Sequence, residues 1–339
     1  MVFGSNKSVS GYKFTWFDRF CLWYPPGWLI LFNRHWQHYH ADPDGWNWLE
    51  YGLFLLPGGF YIALLLRWLR LGCRFPRQQA VQFDRNYQQA FRDEVLAPIA
   101  KYYYRGELRQ IENLPETESM IVAMNHAGMS FPWDFIVLAY LLGTAREWNV
   151  KPLAGVSLFD HPWMIWWLPP GWSQVLGGVR AEKEEFETAI AQKTVLLYAP
   201  EGLRGPSKGW QQRYQLASFD PSFIRLSDRH QIPILPVVCL GNELLHPFAI
   251  NLNLQHIGKI FGLPFLPLSP LMPLFALFPS MGVWAMRSRL RYFIQPVYRV
   301  DLKDRTSRRE RVAAYQEAQA FRDKLQNAIN CILSSSDDK

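Results

Sequence analysis

The stretch MIVAMNHAGMSFPWDFIVL, residues 120–138, decides the fold. Residues 119–124 form a short apolar run that reads as a buried strand, and Asn125-His126 leave it into a loop containing Gly128. Asp134 follows just before or inside an apolar segment, 133–142, that reads as a helix. A carboxylate beside a histidine orients the ring and stabilises the imidazolium that forms when it takes a proton. That arrangement suits removal of a proton from an alcohol. His and Asp this close also occur by chance, and Asp ahead of an apolar helix is a common cap, so this stretch alone leaves a structural role open.

A second stretch, VLLYAPEGLRGPSKGWQQRYQL (195–216), runs from a strand at 194–199 into Pro200-Glu201-Gly202, then Arg204 and Lys208. Small residues with cations just past a strand's C-terminal end suit a phosphate or a developing oxyanion; a tight loop with solvated charges is the plainer reading. A third strand fits 234–240, and both strands suit the interior of an α/β sheet. Gly205–Gly209 also fits the G-x-S-x-G pattern of a serine hydrolase. That elbow needs a strand immediately before it and a helix immediately after, whereas Ser207 lies well past the strand beside Pro206.

Together these pieces resemble the lysophospholipid (glycerolipid) acyltransferase superfamily, in order, from near residue 100 to near 300. The matching motifs are GELRQIENLP (106–115), Asn125-His126 with Asp134, GGVRAEKEE (177–185), Ala199-Pro200-Glu201-Gly202, and Pro233-Ile-Leu-Pro-Val237. Seven residues separate His126 from Asp134 where the commonest spacing has four, which resembles the branch with a longer N-H-x-G…P-W-D loop. Ala199 replaces the family's usual Phe.

The resemblance implies an α/β fold with a mostly parallel central sheet flanked by helices, glycerol-3-phosphate acyltransferase-like. It implies His126 as base and Asp134 as its orienting carboxylate. Glu201, Gly202, Arg204, Arg180 and Asn125 would bind substrate, with Arg180 alternatively pairing with Glu182 or Glu184. The co-substrate would be acyl-CoA or acyl carrier protein, with no other cofactor and no metal. The acceptor would be lysophosphatidic acid or another lysoglycerolipid; a neutral acceptor (diacylglycerol, phytol or another long-chain alcohol, a quinol) is the alternative, and a lipid-binding protein without turnover is the non-enzymatic one.

The rest of the chain bears on where such a protein would work. Of 339 residues, 16% are aromatic and 15 are Trp, rings that favour headgroup depth. A net charge of +7 favours anionic lipid or phosphorylated substrates, and no dense basic stripe points to nucleic acid. Four scattered cysteines, without a C-x-x-C pair, indicate reduced residues of a cytosol-facing protein. No secretory signal is visible.

Residues 1–83 read as an aromatic membrane-associated region, 84–333 as the acyltransferase domain and 334–339 as a disordered tail. Within the first, the apolar run 51–66 would be about 24 Å long as a helix, short of a hydrocarbon core of about 30 Å. Pro57-Gly58-Gly59 interrupts it, so it reads as a re-entrant or interfacial anchor. His35, His38, His40 and His161 read as interfacial polar residues, and HPWMIWWLPPGW (161–172) as a membrane-facing lip or as core packing.

In the second region, Tyr87, Phe91, Val95, Ile99 and Tyr102 keep helical spacing, 103–111 reads as extended, and 183–191 as a short charged helix. The uncharged segment 260–286 carries prolines at every third position from Pro264 to Pro273, which excludes a continuous helix and predicts an extended apolar ribbon. Residues 309–332 predict an amphipathic helix buried through Val312, Tyr315, Phe321, Leu325, Ala328 and Ile332. The site is expected at strand C-terminal ends, on the cytoplasmic face of a membrane.

Overall fold

The computed structural model describes residues 11–77, 82–116, 119–127, 131–154, 162–180, 182–252, 266–302 and 307–336. The chain forms two compact units, and their division does not fall at residue 83. One unit comprises residues 1–99, 162–176 and 274–284, and the other 100–161, 177–273 and 285–339.

The first unit is helical: α1 (Trp16–Trp23), α2 (Trp28–Tyr39), α3 (Trp48–Phe54), α4 (Gly59–Arg70) and α5 (Arg85–Phe91). The run 51–66 is thus two helices, parted where Pro57 and the left-handed Gly58 end the first and start the second. Among the described residues no helix is long and apolar enough to cross a membrane.

The same device closes both helix pairs. Thr15 and Asp18 form a capping box at the start of α1, and Asp18 also receives Arg34 of α2 at 2.7 Å. Asn47 and Glu50 form the corresponding box on α3, and Glu50 receives Arg70 of α4 at 2.9 Å. Each buried acid therefore satisfies a helix N-terminus and a guanidinium at once.

The unit's interior is aromatic. Phe32 packs between Phe91 and Trp172, which explains why residues 84–99 and 162–176 belong here. His35 is core rather than interfacial: it is fully buried, with Glu94 at 2.9 Å and the Tyr87 hydroxyl at 3.2 Å, and burial pushes its pKa down to about 4. His161 lies outside the described residues. In the 161–172 stretch, Trp166 packs on Phe75 and Trp167 on Phe60, so both indoles are half-buried in this unit.

Two helical expectations shift in face. Beyond α5 the helix widens into π-type turns at Arg92–Leu96 and Ile99–Tyr103, which rotate its later residues. Tyr102 is therefore exposed while Tyr103 and Tyr104 are buried, and the extended segment shrinks to β1 (Glu107–Arg109).

The second unit holds β1, β2 (Met120–Met124), β3 (Val150–Ala154), β4 (Val179–Arg180), β5 (Val195–Tyr198), β6 (Ile234–Leu240), β7 (Ile250–Leu252), β8 (Leu266–Leu268) and β9 (Arg291–Ile294). Among the described residues seven strands form one mixed sheet, ordered β1-β9-β6-β2-β5-β3-β4; its neighbours run parallel except β6 and β9. Helix α6 (Trp133–Arg146) follows β2. The first unit then contributes α7 (Pro162–Trp167) and α8 (Trp172–Val175), after which come α9 (Lys183–Ala191) and α10 (Ser222–His230).

The proline-rich segment is mixed. Residues 253–265 lie outside the described residues, β8 pairs with β7, and 272–277 form α11, where Pro273 occupies a first-turn position that needs no N–H. Helix α12 (Ser307–Ser336) continues past 332 and buries Ala314, Ala318, Phe321, Leu325 and Ile329. Val312 and Tyr315 are exposed, because in the first turns the contact stripe runs through Ala314 and Ala318 before it continues through Phe321, Leu325 and Ile329.

A buried Arg67 ties the first unit together. Its guanidinium donates to the carbonyls of Asp44 and Trp166 and stacks on Trp46, and burial pushes its pKa down to about 10. Arg67→Met should cost about 1–3 kcal/mol in stranded acceptors, read as a lower unfolding midpoint. Arg67→Lys should recover only part, since an ammonium lacks the planar fork.

Candidate active site

The site forms where β2 and β5 end side by side, at their C-terminal edges. Asn125 leaves β2 with its side-chain amide paired to the backbone of Cys239 in β6. Its Nδ2 donates to the Cys239 carbonyl at 2.9 Å, and its Oδ1 accepts the Cys239 N–H at 2.7 Å. The side chain thereby imitates one more peptide of the ladder, and both its polar atoms are committed to the sheet.

His126 comes next. Its Nδ1 lies 2.9 Å from Asp134 Oδ2 and 3.1 Å from Oδ1. An ionised carboxylate only accepts, so Nδ1 carries the proton and Nε2 is the basic atom. The ring packs edge-on against Phe135 and keeps 16% of its side chain exposed.

Asp134 is not a helix cap: it lies inside the first turn of α6, fully buried, and Pro132 occupies the cap position. Its Oδ2 also accepts from the Ala127 N–H at 3.1 Å and from Asn242 Nδ2 at 3.3 Å. Tyr292 donates to its backbone carbonyl at 2.7 Å.

The strand–turn after β5 supplies the other wall. Glu201 is buried, with Oε1 3.4 Å from the His126 backbone N–H and Oε2 accepting the Ala217 N–H at 2.8 Å. Gly202 takes a left-handed conformation (φ +54°), which favours glycine, at the start of the short turn 202–204. At Gly205 a Cβ would stand 2.6 Å from the His126 carbonyl oxygen, so only glycine lets the two loops approach this closely.

The sequence-predicted residues therefore divide. His126, Asp134, Glu201 and Asn125 converge on one strand edge. Arg204, exposed on the neighbouring turn, directs its guanidinium to Ser218 at 2.8 Å and to the Glu201 carbonyl. Arg180 meets Glu185: its backbone N–H donates to Oε2 at 2.8 Å and its Nε is 3.8 Å from Oε1. Ser207 lies in a turn with no helix directly after it and donates to the Arg204 carbonyl, so the nucleophile-elbow context is absent there.

Sequence reasoning left out Asn242 and Glu243, just past β6, and treated Lys208 only as a loop cation. The available signal was a polar Gly-Asn-Glu run straight after an apolar strand. Glu243 accepts the Tyr214 N–H at 3.1 Å, and burial holds its carboxyl above the usual range.

Charge at His126 is set by opposing effects. Burial disfavours the imidazolium, but the charge and hydrogen bond of Asp134, aided by Glu201, outweigh burial and the opposing Lys208. Its pKa is therefore raised above the ordinary histidine value.

Residues 105–240 match the family model described as Acyltransferase. Uncharacterized proteins of Mycobacterium tuberculosis and Mycobacterium leprae are 26% identical over 189 residues, 55% of this chain. The matched region is 51% and 49% of those proteins, so the chain spans about half the length of the curated relatives it matches. Among solved structures, the 1-acyl-sn-glycerophosphate (LPA) acyltransferase PlsC of Thermotoga maritima is 18% identical with a TM-score of 0.39, covering 82% of this chain and 92% of that one.

Asp134→Asn should lower the His126 pKa, because it removes the favourable charge and leaves the burial penalty. An NMR titration of the imidazole should show the protonated ring giving way at lower pH than in the native protein. An unchanged titration would mean that Asp134 does not set the charge on His126.

Proposed function

Because residues 105–240 belong to the acyltransferase family, we propose that this chain moves a fatty acyl group from an acyl thioester to a lipid hydroxyl, with His126 as general base. The observation that carries this reading is the imidazole itself, held through Nδ1 by a buried carboxylate at the end of β2, with Nε2 left as its basic atom.

In the proposed step the acceptor hydroxyl gives its proton to Nε2 while its oxygen attacks the thioester carbonyl carbon. The carbon–sulfur bond then breaks, the imidazolium returns the proton to the leaving thiolate, and an ester and a free thiol depart. Asp134 stabilises the imidazolium between the two transfers, and assistance of this kind contributes about 10²–10⁴-fold. The step needs no enzyme nucleophile, metal or prosthetic group. The thiol would be that of coenzyme A or acyl carrier protein.

Lysophosphatidic acid or another lysoglycerolipid is the proposed acceptor, its phosphate drawn by Arg204 and Arg180. The Arg180–Glu185 pair favours a second reading, in which the acceptor is a neutral alcohol, because that cation already has a carboxylate partner.

Exposed residues of the first unit support action at a membrane surface. Trp16, Phe20 and Trp23 form an exposed stripe on α1, and Ile62, Leu65 and Leu69 form one on α4. Apolar stripes at helical spacing on a helix too short to span suit a helix lying in a bilayer surface. We propose that the reaction runs at a membrane surface, on its cytoplasmic face.

Purified protein with radiolabelled acyl thioester and a panel of acceptors should label phosphatidic acid, and His126→Ala should lose about 10²–10⁴-fold of that rate. Label in a neutral ester would keep the chemistry and select the second acceptor class. His126-independent transfer would refute the assigned base. Separately, replacing Trp16, Phe20, Leu65 and Leu69 with Ser should weaken binding to anionic vesicles at least about tenfold with an unchanged far-UV spectrum. Undiminished binding would dismiss these helices as the membrane contact.

A further inference from the structure

The proton transfer described above makes no use of the cation nearest to Glu201. Lys208 lies in the loop after β5 with only 7% of its side chain exposed. Its Nζ is 3.0 Å from Glu201 Oε2, 3.8 Å from Glu243 Oε1 and 2.8 Å from the Gln215 carbonyl oxygen. A desolvated ammonium is costly unless paired, and here two carboxylates and a carbonyl surround it.

Glu201 connects this cation to the histidine. One of its oxygens takes the Lys208 ammonium and the Ala217 N–H, and the other faces the His126 backbone N–H. Without the cation, Glu201 and Glu243 would face each other in a buried region with nothing to offset their repulsion. A displaced Glu201 would no longer hold the His126 backbone.

We propose that Lys208 is a positioning residue for acyl transfer: its ammonium holds Glu201 in place against the His126 backbone, and so fixes where the imidazole stands. The inference rests on the reading of His126 as the acyltransferase base. The charged groups facing His126 are Asp134 from α6, Glu201 from the turn after β5 and Lys208 from the following loop. Those facing Lys208 are Glu201 and Glu243, while Arg204 on the same turn is directed to Ser218. Loss of the ammonium removes a charge that opposes protonation of His126. The acid limb of the rate therefore moves to higher pH.

The test is a pH–rate profile of Lys208→Met, Lys208→Gln, Lys208→Arg, Glu201→Gln and the Lys208→Met/Glu201→Gln double variant, with circular dichroism and melting as controls. The neutral variants should lose about 10²-fold in kcat near neutral pH, the scale of a small misplacement of a catalytic group, with KM little changed. They should regain rate as pH rises, and Lys208→Arg should keep the native profile. Because Lys208 acts through Glu201, the double variant should be about as slow as the slower single variant. Losses that multiply, a native pH profile in Lys208→Met, or a rise in KM alone would overturn the proposal. If Lys208→Met fails to fold, Lys208→Gln carries the same comparison with a hydrogen-bonding side chain in place. His126→Ala separates the two levels: transfer surviving in it defeats the acyltransferase reading, whereas its loss beside a native Lys208→Met profile defeats only the role of Lys208.

Discussion

Two hydrogen bonds between the Asn125 side chain and the Cys239 backbone fix where the sheet stops and the chemistry begins. A strand end normally frays because its last peptide has no partner on one side. Here a side chain supplies the missing peptide, and the ladder between β2 and β6 is prolonged by one residue. His126 therefore starts from a point as firm as the interior of the sheet. Asn242 reinforces this arrangement by approaching both the Asn125 carbonyl and Asp134 from the far end of β6. The carboxylate that orients the ring and the backbone that carries it thus share one buried amide.

Everything else at the site is braced against that point. Glu201 reaches the His126 N–H from the neighbouring strand, and Gly205 lets the two loops close to a distance no other residue permits. Burial would by itself keep the imidazole neutral and weakly basic. Asp134 reverses this, and Lys208 moderates the reversal by balancing the second carboxylate. The charge on the imidazole is thus set by groups on three different segments of the chain.

Much of this was legible in the sequence. Strands β2, β5 and β6 are short apolar runs with abrupt polar ends, and α9 spans the predicted residues 183–191. His126, Asp134 and Glu201 could be singled out because each closes or follows such a run within a recognisable motif. The illegible parts have physical reasons. The π-type turns after α5 break the 3.6-residue period from which Tyr102 was assigned its face. The first turns of helix α12 pack through Ala314 and Ala318, which a search for large apolar residues passes over. Lys208 and Glu243 become partners only when loops 35 residues apart in sequence fold together, and no local pattern records that.

The loop behind the histidine is also held from a distant part of the chain. In α12, Gln326 accepts the Leu216 N–H and donates to the Tyr214 carbonyl, and Arg322 donates to the Leu216 carbonyl. Residues 214–216 flank the carbonyl of Gln215 and the N–H of Ala217, which hold Lys208 and Glu201 in turn. The histidine and the helix that steadies its surroundings are separated by nearly two hundred positions in the chain. A polypeptide still being synthesised thus carries the imidazole, the carboxylate and the strand edge long before it owns the residues that hold this loop. The arrangement is complete only once α12 has been made and docked.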